Sequence, residues 1–219
     1  MAENGDRTRE ALLDAAEELF ALHGVDAVSN RRITEHVGAA NHSAVAYHFG
    51  SREQFLRALA ARDSNTIAAR RADMVAALPA DAGLHDLLAC LILPWTGHLE
   101  SLPVPSWRAR CLNQLRTVPS VRSALREGAR QPMVDDLVQR IWAALPELPR
   151  PVLYGRSWAF GYMVLGVCAE YEEQIQTGEG PPAWNGPGRF LIDCGAGMLA
   201  APVTGSGGFL TRPAPLLLP

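Results

Sequence analysis

The chain contains no lysine, so all 20 of its basic residues are arginine. Against 23 acidic residues they leave a formal net charge of -3 at pH 7. A small negative charge does not by itself indicate a nucleic-acid partner. With 48% hydrophobic and 20% charged residues, the composition excludes a disordered, collagen-like or disulfide-scaffold protein. A chain of 219 residues is long enough for one domain, or for one domain and a small module.

Cysteine is scarce, and its positions argue against a metal site or a disulfide framework. Cys90, Cys111, Cys168 and Cys194 lie far apart in apolar segments and show no CxxC spacing. A free cysteine in such surroundings behaves as a small buried hydrophobic residue. We therefore expect no metal and no cofactor.

Long hydrophobic runs are also absent, since none reaches the ~20 residues that span a bilayer. Segment 157–169 is too short, and the longest uncharged run, 194–211, is interrupted by Gly, Ser and Pro. The first six residues are polar and acidic, unlike the start of a signal peptide. These absences predict a soluble, cytoplasmic protein with no membrane partner.

The motifs of common enzyme classes are missing as well: the chain has no GxSxG, HExxH or P-loop sequence. We therefore predict that the protein is not an enzyme. A Cys–His pair that meets only in the folded chain is the catalytic alternative that spacing leaves open.

What the sequence does contain is helical periodicity, from its start to Ala201, without long period-two alternation. This predicts an all-α fold. Asp6 is a candidate N-cap, Ser51 and Gln54 have capping-box spacing, and Pro94 should kink its helix. The predicted helices cover residues 7–23, 29–37, 42–49, 51–78, 84–99, 106–118, 120–145, 152–177 and 189–201. Residues 202–219, rich in Gly and Pro, are predicted to form a flexible tail.

Positive charge is concentrated in one segment. Residues 1–28 hold two Arg and seven acidic residues, whereas residues 29–57 hold four Arg, two Glu and three of the six His. The remaining residues, 58–219, have equal numbers of basic and acidic side chains. The positive segment is also the one that is built from short helices.

Two short helices joined by a tight turn that contains Gly38 are typical of a helix-turn-helix, whose second helix enters the DNA major groove. Tyr47 and His48 on that helix can donate hydrogen bonds to phosphates. Arg52 opens the next helix, whose N-terminus favours an anion. The small and polar side chains that can approach base edges are Asn41, His42, Ser43 and Ala44.

Residues 33–56, with the core Tyr-His-Phe-Gly-Ser-Arg-Glu at 47–53, resemble the DNA-binding signature of TetR-type transcriptional regulators. The resemblance covers about residues 7–60. It implies a three-helix DNA-binding module joined to a helical domain that binds a ligand and dimerises. Such proteins act as homodimeric repressors that leave a palindromic operator, a double-stranded DNA site, when a small-molecule effector binds.

The resemblance places Arg31 at a base-reading position, Tyr47 and His48 at phosphate-contacting positions, and Arg52 at the basic start of the fourth helix. Two departures from the family pattern are visible. The segment from Gly38 to Phe49 is one residue longer than the commonest pattern, and Ala46 stands where many members carry Tyr.

The resemblance also implies an effector pocket inside the helical domain. Such pockets are mostly apolar, with a few polar groups at defined positions. The mostly apolar character of the candidate residues indicates a hydrophobic or aromatic effector. The candidate effector-binding residues are Trp95, His98, Trp107, Cys111, Asn113, Gln114, Trp158 and Tyr162.

The last two helices are predicted to form a symmetric four-helix homodimer interface. Segment 158–168 has more apolar surface than one core needs, and Gly195 and Gly197 permit close helix approach. The candidate interface residues are Phe160, Leu165, Leu191, Cys194 and Met198.

These expectations divide the chain into a DNA-binding domain (1–52), a helical effector-binding and dimerisation domain (53–201) and the flexible tail (202–219). The function predicted is that of a ligand-responsive homodimeric repressor. The alternative is a DNA-binding regulator without a small-molecule effector, whose helical domain would be filled by its own side chains.

Overall fold

In the computed structural model, which describes residues 2–39, 43–119, 121 and 132–204, the chain is helical, and this part of it contains no strand. The all-α prediction is therefore confirmed. Residues 1, 40–42, 120, 122–131 and 205–219 lie outside the described part, and with them Asn41, His42 and most of the predicted tail. The described helices are α1 (Ala2–His23), α2 (Asn30–His36), α3 (Ala44–Phe49), α4 (Arg52–Ala61), α5 (Ser64–Ala76), α6 (Leu84–Ser101), α7 (Arg108–Leu115), α8 (Pro132–Ala143), α9 (Arg150–Thr177) and α10 (Asn185–Ala200).

Helices α1 to α4 form the N-terminal module, and their buried apolar side chains belong to a cluster that continues into the later helices. The apolar side of α1, which includes Leu12 and Phe20, is buried. Helix α1 ends as predicted at Gly24, whose φ of +80° suits glycine. Its start was predicted wrongly: α1 begins at Ala2, and Asp6 lies exposed within it. A polar residue on the solvent side of a helix need not be its cap.

The predicted helix over 51–78 is wrong, because it is two helices. The chain leaves helical geometry at Arg62, and Asp63 takes the left-handed conformation at φ +65° before α5 begins. No Gly or Pro marks this break in the sequence. Its cause is tertiary, since Arg108 of α7 donates hydrogen bonds to carbonyl groups at the end of α4.

Helices α5 to α10 form the second part of the chain. Helix α6 continues through Pro94, and its apolar side, which includes Leu88, Leu91 and Trp95, is buried. Helix α9, with 28 residues, runs through the core and packs against both α7 and α10. Gly195 lets α10 approach α9 closely, because a Cβ there would lie 2.4 Å from Cε2 of Phe160.

Helix α10 begins at Asn185, four residues earlier than predicted. Gly186, Pro187 and Gly188 therefore lie in its first turn rather than in a loop. Proline is tolerated there because the first N–H groups of a helix have no intrahelical acceptor. Cys90, Cys111 and Cys168 are buried, Cys194 is half-buried, and all four are free thiols. Within the described ranges, no helix is both long and apolar enough to cross a membrane.

Candidate DNA-binding interface

Helix α3 presents one face to solvent and packs the opposite face into the N-terminal module. Ser43, Ala46, Tyr47 and Gly50 are exposed, and their spacing of three and four residues places them on one side of the helix. Tyr47 is 82% exposed, which is exceptional for so large a ring and leaves its hydroxyl able to meet another molecule.

Ala44 does not belong to this exposed face. Its side chain is only 6% exposed and lies in the apolar cluster with Val45, so it is not available to contact a base. Ser43, one residue earlier, is exposed and precedes the first turn of α3. Of these two members of the predicted base-contacting set, Ser43 is therefore exposed and Ala44 is buried.

The aromatic side chains at the end of α3 pack in sequence from solvent to core. The rings of Tyr47 and His48 meet edge to face with centroids 5.0 Å apart, and His48 is half-buried. Phe49 packs in turn against Phe55 of α4, with ring centroids 4.7 Å apart. This packing anchors the C-terminal end of α3 to α4 and leaves the Tyr47 hydroxyl outermost.

The turn from α3 to α4 depends on both Gly50 and Ser51. Gly50 has φ +79°, and a Cβ on it would lie 2.4 Å from Oε1 of Gln54. That same oxygen accepts a hydrogen bond from the Ser51 N–H (3.0 Å), while Ser51 Oγ accepts one from the Gln54 N–H (3.1 Å). The predicted capping box is confirmed.

Arg52 points into the module and is not an exposed cation at the helix terminus. Its guanidinium donates to Oδ1 of Asn30 (2.7 Å) and to the carbonyl groups of Val25 (2.8 Å) and Val28 (2.6 Å). It also lies over the ring of Phe20. Partial burial lowers the pKa of Arg52. Arg52 therefore holds α4 against the loop between α1 and α2, rather than facing a phosphate.

Arg31, by contrast, is available on α2. Its side chain is 74% exposed, and its Nε donates to Oε1 of Glu35 at 2.7 Å. This hydrogen bond raises the pKa of Arg31. Arg32, which the sequence analysis did not single out, is exposed beside it. An exposed i,i+4 ion pair contributes little to stability, so Glu35 can release Arg31 at small cost.

Residues 12–59 match the family described as bacterial regulatory proteins, tetR family. The N-terminal module is a TetR-family domain. The resemblance in the helix-turn-helix segment is therefore confirmed for these residues. The match ends inside α4, where Arg52 and Phe55 join that helix to the preceding ones.

Three curated relatives extend the similarity beyond this domain. The chain is 33% identical over 130 residues to the HTH-type transcriptional repressor AcnR of Corynebacterium diphtheriae, covering 59% of this chain and 60% of the relative. It is 32% identical over 119 residues to AcnR of Corynebacterium glutamicum, covering 53% and 55%. With AcnR of Corynebacterium efficiens it shares 30% identity over 135 residues, covering 60% and 62%. The aligned region thus spans about three fifths of each relative.

The candidate effector residues of the helical domain do not converge on one place. Trp95 and His98 are buried together in α6 with stacked rings, and Cys111 is buried in α7. Asn113 and Gln114 line a small groove of about 190 Å³ between α1, α7 and α9. All five residues lie on α6 or α7.

Trp107 lies elsewhere, in a larger groove of about 640 Å³ between the N-terminal module and the α6–α7 loop. Trp158 and Tyr162 of α9 pair with ring centroids 4.5 Å apart. The guanidinium of Arg116, which the sequence analysis missed, lies 4.0 Å from the centre of the Tyr162 ring. Among the described residues, Nη1 of Arg116 is buried without a hydrogen-bond partner.

The candidate interface residues separate into two groups. Phe160, Leu165 and Leu191 are buried inside the protomer, where their side chains fill its own core. Cys194 and Met198 are half-buried on the outer side of α10. Within the described ranges, no group of three or more His, Cys, Asp or Glu side chains is arranged as if around a metal ion.

Proposed function

We propose that this TetR-type chain is a homodimeric transcriptional repressor that binds an inverted-repeat operator through α3. The observation that carries the proposal is the exposed face of α3, with Tyr47 almost fully accessible, within a domain that matches the TetR family. The relatives named as transcriptional repressors support the same function. A 22-residue α1 and the buried side of α3 provide the scaffold behind this face.

In the proposed complex, α3 lies in the major groove, with its N-terminal end toward base edges. Ser43 contributes a hydroxyl there, and Arg31 of α2 reaches a base after leaving Glu35. Tyr47 and His48 contact phosphates and set the position of the helix on the duplex. Arg52 takes no direct part and keeps α4 in place behind α3.

The first test is selection of bound fragments from sheared genomic DNA by the purified protein at fixed salt concentration. We expect enrichment of an inverted repeat, whose half-sites are about one helical turn apart, ~34–36 Å. Absence of enrichment, even at salt low enough to favour phosphate contacts, would contradict the proposal.

Two substitutions separate base contacts from phosphate contacts on the recovered operator. Arg31→Ala should weaken operator binding by about tenfold or more and reduce discrimination between sequences. Tyr47→Phe, which removes only a hydroxyl, should weaken binding severalfold and similarly on all sequences. Arg189→Ala is the matched control, because Arg189 is exposed on α10 and, like Arg31, bonds a side chain four residues away in the same helix.

The proposed dimer interface is the outer face of α9 and α10. Phe190 is 55% exposed, and it lines an apolar groove of about 460 Å³ with Val167 of α9 and Pro187 of α10. Cys194 and Met198 continue the same side of α10, because they follow Phe190 by four and eight residues. A second copy of these two helices would cover this surface in a four-helix arrangement.

The proposed effector is a small molecule with an aromatic or hydrophobic body, bound near Trp158 and Tyr162. Nη1 of Arg116 is buried and has no hydrogen-bond partner among the described residues, which supports an effector that also offers a hydrogen-bond acceptor. Such an effector would stabilise a conformation of the helical domain in which the two α3 helices no longer match the operator. It would therefore release the repressor.

Candidate metabolites can be chosen from the genes that adjoin the recovered operator and screened for release of the protein from DNA. Arg116→Met should abolish release by an active compound and leave operator affinity unchanged. If no compound acts and the helical domain is filled by its own side chains, the alternative regulator without a small-molecule effector is favoured. The operator experiment is unaffected by that outcome.

A further inference from the structure

Arg108 of α7 is a buried charge at the junction between the N-terminal module and the rest of the chain. It is 1% exposed. Its Nη1 donates to Oε1 of Glu17 on α1 (3.0 Å) and to the carbonyl group of Leu59 on α4 (2.8 Å). Its Nη2 donates to the carbonyl groups of Ala60 (3.4 Å) and Arg62. One side chain thus connects α7 to both α1 and α4.

Three of these acceptors are carbonyl groups at the C-terminal end of α4. The last four carbonyl groups of an α-helix have no intrahelical donor, and their partial negative charge favours a nearby cation. At the end of α4 this cation is Arg108, from a helix that lies 46 to 49 residues further along the chain. Separating α4 from α7 would deprive a buried guanidinium of these carbonyl acceptors, which is strongly unfavourable.

Helix α7 is itself held from its other side by α9. Glu172 of α9 is buried and accepts hydrogen bonds from the N–H groups of Ala109 (3.1 Å) and Arg110 (2.9 Å). It also accepts one from Oγ of Ser106 at 2.8 Å. These donors lie at the start of α7. Glu172 therefore connects α9 to α7, and Arg108 connects α7 to the end of α4.

The same junction contains the strained break between α4 and α5. Asp63, at φ +65°, places Oδ2 3.3 Å from Nε2 of His98 on α6 and 3.7 Å from Nε of Arg108. Both nitrogen atoms are buried. The angle at which α4 leaves the helical core is thus set by contacts from α6 and α7, and not by the local sequence.

We infer that Arg108 is a positioning residue that fixes the orientation of α4 relative to α9 and thereby sets the separation of the two α3 helices in the dimer. Helix α3 follows α4 because Phe49 and Phe55 pack together and the capping box closes the turn. Helix α9 is part of the proposed dimer interface. The inference rests on the proposed function, and its measurable consequence is the spacing between operator half-sites.

The test measures affinity for duplexes that carry the two recovered half-sites separated by each spacer within about one helical turn, roughly 10 base pairs. The wild-type protein should prefer one spacing. Arg108→Lys keeps the charge but loses the planar fork, so it cannot serve Glu17 and the α4 carbonyl groups together. We expect its preference for the best spacing over the next to fall about tenfold, with discrimination of half-site sequence unchanged.

Arg156→Lys is the matched control. Arg156 of α9 also donates to carbonyl groups at a helix end, those of Leu199 and Pro202, and neither of these two hydrogen bonds involves the N-terminal module. It should keep the wild-type spacing preference. A loss of stability alone would lower affinity equally for all spacings, so the ratio between spacings distinguishes positioning from folding.

A folded Arg108→Lys protein that keeps the wild-type spacing preference would overturn the inference and leave the proposed function intact. If the wild-type protein binds no inverted repeat, the proposed function fails, and the inference fails with it. If Arg108→Lys does not fold, Glu17→Gln supplies the comparison, because it removes the anion that holds Arg108 against α1. It should shift the spacing preference in the same direction by a smaller factor, and an unchanged preference would again overturn the inference.

Discussion

Asp63 shows how one residue joins backbone strain to electrostatics. Its left-handed conformation costs on the order of 1 kcal/mol for a residue with a side chain. The close approach of His98 Nε2, 3.3 Å from Oδ2, lowers the pKa of Asp63, while burial opposes this shift and the positive charges of Arg108 and Arg62 add to it. The left-handed conformation persists because the contacts of the Asp63 carboxylate with these side chains offset its cost.

Asp63→Asn tests this contribution, since Asn also tolerates the left-handed region and only the charge is removed. We expect the free energy of unfolding near neutral pH to fall by about 1 kcal/mol. Because the folded-state pKa of Asp63 is lowered, its stabilisation is fully present above the unfolded value of about 3.9 and is lost as the pH falls through the folded value.

Urea unfolding of both proteins from about pH 7 to about pH 3 measures this difference. The gap between wild type and Asp63→Asn should stay constant at higher pH and narrow only at the acid end. A gap that persists unchanged to the lowest pH would contradict the assignment of the effect to the Asp63 charge.

At the scale of elements, the start of α4 and the end of α4 are determined differently. The start is encoded locally, because Gly50 permits the turn and Ser51 and Gln54 cap the helix. The end is encoded by another part of the chain, because Arg108 supplies the donors for the last carbonyl groups. Sequence periodicity therefore identified the first boundary and missed the second.

Ser51→Ala removes the side-chain half of the capping box. The free energy of unfolding should decrease by about 1 kcal/mol, within the range of 0.5–2 kcal/mol typical of N-cap losses. Chemical denaturation measures this change. Ser64→Ala is the control, because it lies at the start of α5, whose N-cap makes no side-chain hydrogen bond, and it should change stability by less than about 0.5 kcal/mol. Equal effects at the two positions would contradict a specific capping role for Ser51.

At the scale of the whole molecule, α9 and α10 expose an apolar surface to solvent. Phe190 is a large hydrophobic side chain exposed next to a groove that Val167 and Pro187 line. Contiguous apolar surface of this kind marks an interaction site more often than isolated exposed residues do. A dimer across it would place both α9 helices, and through Arg108 both α4 helices, in one fixed arrangement.

Phe190→Ser should weaken dimerisation, because each protomer loses the burial of one aromatic ring. At about 1.5–3 kcal/mol for each side chain, the dissociation constant should rise at least a hundredfold. Sedimentation should give the mass of two 23.7 kDa chains for the wild type and of one for the variant at low concentration.

Leu22→Ser is the matched control for Phe190→Ser. Leu22 is also an exposed large hydrophobic residue, but it lies on α1. This variant should remain a dimer. A wild-type protein that sediments as a monomer at micromolar concentration would contradict the proposed interface.

The sequence by itself determined those features that depend on neighbouring residues. Such local features are the helical periodicity, the turns at Gly24 and Gly50 and the capping box. Segment 47–53 identified the TetR-type domain because its residues form one packed turn.

The tertiary structure alone decided which side chains are free to act. Ala44 is buried and does not belong to the exposed face of α3, and Arg52 donates hydrogen bonds to groups inside the N-terminal module. Both residues nevertheless lie in the segment 33–56 that resembles TetR-type regulators. The junction at Arg108 and Asp63 had no sequence signal, because its donors and acceptors come from α1, α4, α6 and α7. Hydrogen-bond partners that are distant in the chain meet only when the helices pack, and that packing holds the two parts of the molecule together.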